Sequence, residues 1–216
     1  MTLIDLTHTI AHGTITYPGL PAVSITDYLS REASATRYAP GTTFHIGRID
    51  MVANTGTYLD APSHRFEDGA DIATLPLEHM ADLEGVVIDA RNAGRAIGPS
   101  RFDGIDVAGR AVLFHTGWSR YFATTRYGLG APFLTREAVE ALVARKARLV
   151  GIDSLNIDDA DDLTRPAHTH LLGAGIPIVE HLTALGQLPP SGFRFFSVVP
   201  KFRGVGTFPV RAFAIT

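Results

Sequence analysis

The chain has 216 residues, a formal net charge of −3 and no cysteine. That length suits one domain with a substantial core. The charge balance, with no Lys/Arg run, excludes a surface that tracks nucleic-acid phosphates, and without cysteine there are no disulfides and no thiolate chemistry, so nitrogen and oxygen must supply any metal ligands.

Apolar stretches such as Ala111 to Phe114 are far short of the ~20 residues of a membrane helix. Residues 1–10 lack a basic segment leading into an apolar core. The expectation is a cytoplasmic protein with no membrane partner.

In chain order, β-branched or aromatic runs bounded by polar residues predict strands. They lie at Leu3–Thr7, Gly85–Asp89, Ala111–His115, Leu149–Asp153, Phe195–Val199 and Val210–Ile215. The polar segment Ser30–Thr43 and the acidic segment Asp158–Asp162 read as loops. A short helix is expected after Pro76, a residue that suits a first turn. A longer one should run from Thr135 to Lys146, with Thr135 as cap and Ala138, Val139, Leu142 and Val143 on one face. A third is expected over Val179–Leu185, stopped by Gly186 and Pro189-Pro190. With Gly and Pro punctuation throughout, these elements predict a single mixed α/β domain over 1–216 and not a regular βαβ repeat.

Chemistry concentrates in Asn54 to His64. Asn54, Gly56, Tyr58 and Asp60 occupy alternate positions, which share one face of an extended chain. Pro62 cannot donate to a strand ladder, so the strand should end near it and leave His64 at its mouth. A carboxylate and an imidazole held this way can bind a metal or move a proton. The plainer alternative is a Gly-Thr turn with a satisfied Asp and a surface His. Further on, His168 and His170 sit in what reads as a polar loop. Glu180 closes the apolar run Ile176–Val179, where a carboxylate needs a metal, a His or Arg partner, or a helix to cap. His45, in the alternating run Phe44-His45-Ile46, is a weaker candidate. No Gly-x-Ser-x-Gly elbow, P-loop or dinucleotide fingerprint is present.

The run Gly56-Thr57-x-x-Asp60-Ala61-Pro62-x-His64 resembles the signature of the bacterial cyclase family, which includes kynurenine formamidases and isatin hydrolases. Asp5-Leu6-Thr7-His8, Tyr17-Pro18-Gly19, Thr116-Gly117-Trp118, Gly151-Ile152-Asp153 and Pro209-Val210-Arg211 are similar to the family's other landmarks, in order. The resemblance implies a compact α/β fold with a swivelling β/β/α arrangement, assembled as a homodimer or homotetramer. It also implies a metal-dependent hydrolase acting on an amide or cyclic amide as small-molecule substrate. By position, Asp60, His168 and Glu180 would be metal ligands and His64 the general acid/base.

The family has His where this chain has Asn54 and Tyr58. An Asn carbonyl is a weak ligand for zinc, and Tyr must first lose a proton with a pKa near ~10. The expectation is therefore one divalent ion, zinc or manganese, held weakly or absent. Tyr58 would instead donate a hydrogen bond to a developing oxyanion, and Asn54 would face the substrate. Trp118, with Phe44 and Phe66, would line an aromatic pocket. The rival readings are a metal-independent lyase or cyclase, a lactone or ester hydrolase, and a non-catalytic small-molecule binding protein.

Overall fold

The computed structural model describes all 216 residues. The first half of the chain supplies β1 (Leu3–Asp5), β2 (Ser24–Leu29), α1 (Arg31–Ala35), β3 (Ile46–Asp50), β4 (Tyr58–Asp60), β5 (Leu83–Asp89) and β6 (Ala96–Ile97). The second supplies β7 (Ala111–His115), β8 (Phe133–Leu134), α2 (Arg136–Ala144), β9 (Leu149–Ile152), α3 (Pro166–Gly173) and β10 (Ile178–Glu180). The chain ends with β11 (Ser191–Phe196), β12 (Thr207–Pro209) and β13 (Phe213–Ile215). No helix is long and apolar enough to cross a membrane.

A nine-stranded mixed sheet organises the molecule, in the order β1-β13-β11-β5-β7-β9-β10-β4-β12. Its centre, β5-β7-β9-β10, is parallel, while β4 and β12 add antiparallel to one side and β11, β13 and β1 to the other. Parallel strands covered on both faces read as continuous apolar runs, as Ala111–Phe114 and Leu149–Ile152 do. Alternation along β7 sends Val112 and Phe114 to one core and Ala111 and Leu113 to the other. The first core is closed by Ala138, Val139 and Leu142 of α2 and by Ala167, Leu171 and Leu172 of α3. The second is closed by loop residues, among them Leu6, Met80, Leu182 and Leu185. The mixed α/β class expected from the sequence is the class observed.

Several local expectations are corrected. The segment from Val179 is a strand end, not a helix. Ile178 and Val179 pair with β9, and His181 then takes a left-handed φ of 56° that breaks any helical path. A short β-branched run fits strand or helix equally by periodicity, and burial between β9 and β4 decides. His168 and His170 lie on α3, not in a loop. Pro166 opens that helix, but its cap comes from eight residues upstream, where Asp158 accepts from the backbone N–H of Ala167 at 2.6 Å and of His168 at 3.1 Å. The segment after Pro76 forms only a 3-10 turn, Leu77–His79. The strand placed at Phe195–Val199 starts earlier, at Ser191, because Phe193 and Phe195 are the alternate side chains that enter the core. The Ser30–Thr43 segment holds the one-turn helix α1.

Candidate active site

The register around β4 builds the site. Tyr58 and Asp60, two apart on a strand, share a face, while Leu59 between them enters the second core. Glu180, the last residue of β10, pairs directly with Tyr58 across one ladder. Thr207 of β12 pairs directly with Asp60 across the other. Four polar side chains thus meet on one face, all buried. Beyond β4 the chain makes a 3-10 turn, Pro62–His64. It lies between two glycines that cannot be enlarged. A Cβ at Gly69 would stand 2.7 Å from the Pro62 carbonyl carbon, and one at Gly206 would collide with the backbone of His64. This clamp brings the His64 ring beside that of His168, with centroids 5.8 Å apart.

Hydrogen bonds fix which nitrogen of each ring is free. The Thr207 hydroxyl donates to Asp60 Oδ1 and is 2.9 Å from His64 Nδ1. A hydroxyl has one proton, so His64 Nδ1–H must be the donor in that second bond, and Nε2 is left as the basic nitrogen. On the other side, His168 Nδ1 lies 2.6 Å from Asp158 Oδ2, which leaves His168 Nε2 pointing inward, 3.7 Å from Asp60 Oδ2. An imidazole backed by a carboxylate is the usual arrangement of a metal-bound histidine.

Asp60 Oδ2 is buried and has no hydrogen-bond partner. An orphaned buried carboxylate oxygen is costly, and this one faces His168 Nε2 across a gap too long for a hydrogen bond. One ligand atom each from Asp60, His64 and His168 lie within 4.8 Å of one another. These carboxylate and imidazole donors fit a divalent cation, with positions left open as in catalytic sites. Glu180 is less available. Its Oε1 is 3.9 Å from His168 Nε2 but accepts from the backbone N–H of Ile157 at 2.6 Å, and its Oε2 accepts from the Tyr58 hydroxyl at 2.6 Å.

Electrostatics follow from the packing. Burial opposes charge on His168, but Asp158, Asp60 and Glu180 outweigh it and push its pKa up to about 10. A cation at Nε2 would take the place of that proton. Burial, then the charge of Asp60, pushes Glu180 up to about 7, against the pull of His168 and Tyr58. Burial and the charges of Glu180 and Asp60 hold Tyr58 well above the usual phenol value. Tyr58 therefore stays a neutral donor, its proton committed to Glu180. The Tyr58 hydroxyl is also 3.3 Å from His181 Nε2, and His181 Nδ1 is 2.8 Å from the Tyr127 hydroxyl.

A cleft of about 340 Å³ opens over these groups, lined also by Tyr17, Leu20, Asn54, Asn156, Arg65 and Arg165. Asn54, Tyr58, His64, His168 and Glu180 all reach it. Trp118 does not line it, and its indole N–H donates to the Tyr127 carbonyl at 2.9 Å. Phe44 is exposed against Tyr38, and Phe66 packs on the first core, so neither forms an aromatic wall there. His45 pairs with Asp27 at 2.8 Å on the β2–β3 hairpin, and His170 meets Arg136 at 2.9 Å. Sequence reasoning missed Asp158, hidden in an acidic run, and Thr207, two residues before the Pro209-Val210-Arg211 landmark.

The family model described as "Putative cyclase" matches residues 4–159. A kynurenine formamidase of Salinibacter ruber (strain DSM 13855 / M31) is 28% identical over 213 residues, covering 98% of this chain and 96% of the relative. Isatin hydrolase A from Ralstonia solanacearum superposes with a TM-score of 0.83 at 26% identity, over 99% of this chain and 91% of that one. A potential metal-dependent hydrolase with cyclase activity gives 0.81 at 27%, over 99% and 96%. With a family model spanning most of its length and full-length relatives of the same fold, the chain belongs to the cyclase family.

Proposed function

We propose that this chain hydrolyses the carbon–nitrogen bond of an amide, with N-formyl aromatic amines and cyclic amides as substrate classes. The observation that carries the reading is the partnerless Asp60 Oδ2 facing His168 Nε2, with the basic nitrogen of His64 alongside. Asp60 and His168 would hold one divalent ion, zinc or manganese, with Glu180 and His64 nearest to them. When bound, the ion supplies Lewis acidity toward the carbonyl and the attacking water. The names of the relatives, a kynurenine formamidase and an isatin hydrolase, support the choice of bond.

His64 Nε2 takes a proton from the attacking water as its oxygen bonds to the carbonyl carbon. The same nitrogen returns that proton to the leaving nitrogen as the C–N bond breaks, giving a carboxylic acid and an amine. Thr207 keeps His64 in the tautomer this needs, by accepting from Nδ1 and donating to Asp60. Asp158 does the same for His168. Tyr58 holds Glu180 in place, and oxyanion donation from Tyr58 would require breaking that bond. One sheet supplies Tyr58, Asp60, Glu180 and Thr207, which supports treating residues 1–216 as one catalytic domain.

The test is turnover of a panel of N-formyl anilines, lactams, lactones and esters by protein of measured metal content, before and after chelation. Amide turnover that falls with the ion supports the reading. Turnover confined to esters and lactones would overturn it.

A further inference from the structure

The cleft is lined by two guanidiniums that form no ion pair with a carboxylate. Arg91, Arg95, Arg110, Arg194 and Arg211 each form an ion pair with an Asp or Glu. Arg65 and Arg165 form none, which holds for other arginines such as Arg31, Arg48 and Arg120 too, but of all the arginines only these two line the cleft. Arg65 makes only a long contact to Thr169 Oγ1, at 3.4 Å, and lies over the Phe66 ring. Arg165 donates once, to the Asp159 carbonyl at 3.3 Å. A guanidinium has five N–H donors, so most of each fork is unused. Both side chains line the cleft that holds His64 and His168. The one carboxylate among the lining residues is Glu180, whose two oxygens are already bonded.

Their placement concentrates this charge. Arg65 follows His64 directly and reaches α3 beside His168, while Arg165 immediately precedes Pro166, the first residue of α3. Arg165 has φ 48° and ψ 61°, a left-handed backbone that disfavours a side chain, and it precedes Pro166, which restricts it further. Asn or Gly would make the same turn with less strain. Strained residues that persist cluster at ligand clamps. Here the strained residue is the one that carries a free guanidinium into the cleft.

We propose that Arg65 and Arg165 form a carboxylate-binding subsite, so that the substrate is an amide bearing an acid group apart from the scissile bond. A planar carboxylate matches the guanidinium fork, two N–H donors to two oxygens, better than it matches a point charge. This rests on the cleft being the substrate site, which deepens the amidohydrolase reading.

The test is calorimetric binding of 2-aminobenzoate and 2-aminobenzamide to the metal-loaded protein and to an Arg65→Gln/Arg165→Gln variant, with folding checked by circular dichroism. These probes need no turnover, so a failure of amide hydrolysis leaves the experiment readable. The acid should bind roughly ten- to a hundredfold more tightly than its amide. That preference should collapse in the double variant, return only in part with lysine at both positions, and weaken with salt. Among N-formyl derivatives of the same pair, the ratio of kcat/KM should follow the same pattern. Equal binding of acid and amide would overturn the proposal. So would a preference that survives in the double variant, because the anion would then sit on the ion at Asp60 and His168.

Discussion

Tyr58 and Glu180 face each other across the β4–β10 ladder, and the Tyr58 hydroxyl donates to Glu180 Oε2 at 2.6 Å. The residue that stands where the family has a histidine thus spends its proton on the carboxylate that the family resemblance makes a metal ligand. The altered position and the reduced availability of Glu180 are one feature.

Tyr58→Phe should therefore destabilise the fold by about 1–3 kcal/mol, because it strands a fully buried carboxylate oxygen. Urea unfolding measures it, and an unchanged midpoint would mean that Glu180 finds another donor. The double change Asn54→His with Tyr58→His should raise the zinc content above that of the native chain, since imidazole binds zinc without losing a phenolic proton. Elemental analysis of the two proteins purified alike decides between them.

Asp158 supports His168 from behind while also capping α3. Loss of such an outer partner typically weakens metal affinity by roughly 10–100-fold. Asp158→Asn keeps an oxygen for the helix N–H groups but removes the charge behind the ring. Competition with a chromophoric chelator should show weaker binding of about that size. Affinity equal to that of the native chain would place the ion away from His168.

Thr207 links His64 Nδ1 to Asp60 without lining the cleft. Thr207→Val keeps the shape and removes both hydrogen bonds. It should lower kcat by roughly tenfold, a fraction of the ~10²–10⁴ typical for general acid–base catalysis, and shift the acidic limb of the pH profile. A changed kcat with an unmoved pH profile would assign Thr207 a packing role alone.

The centre of the sheet was legible because Ala111–Phe114 and Leu149–Ile152 are short apolar runs bounded by polar or turn residues, with Val112, Phe114, Val150 and Ile152 favouring strand. Asp60 and His64 were legible from local spacing. Glu180 stood out by its place at the end of an apolar run and by the family resemblance, but its bond to Tyr58 did not, and Asp158 and Thr207 reach the site through a distant cap and strand register. Thr207 lies 147 residues from Asp60 along the chain. Helix α3 was missed because its cap is not adjacent to it, and Trp118 was over-read because an isolated aromatic carries no address.

His181 is completely buried and held neutral, its pKa lowered to about 3, chiefly by burial. An unfolded chain binds a proton at this position below about pH 6.5, whereas the folded chain does not until about pH 3. Stability from this residue is therefore present above pH 6.5 and lost as pH falls toward 3, at about 1.4 kcal/mol per pH unit. His181→Asn tolerates the left-handed backbone and cannot titrate. Denaturation across pH 4–7 should show a shallower acid slope in the variant, and parallel slopes would count against the assignment.

The most direct test of metal-assisted amide hydrolysis is a titration of chelator-treated protein with zinc or manganese, following cleavage of an N-formyl aromatic amine. Activity should be near zero at the start and rise to a plateau that fits about one ion per chain, while Asp60→Asn stays flat throughout. Full turnover by ion-free protein, or an unaltered titration by Asp60→Asn, would contradict the account.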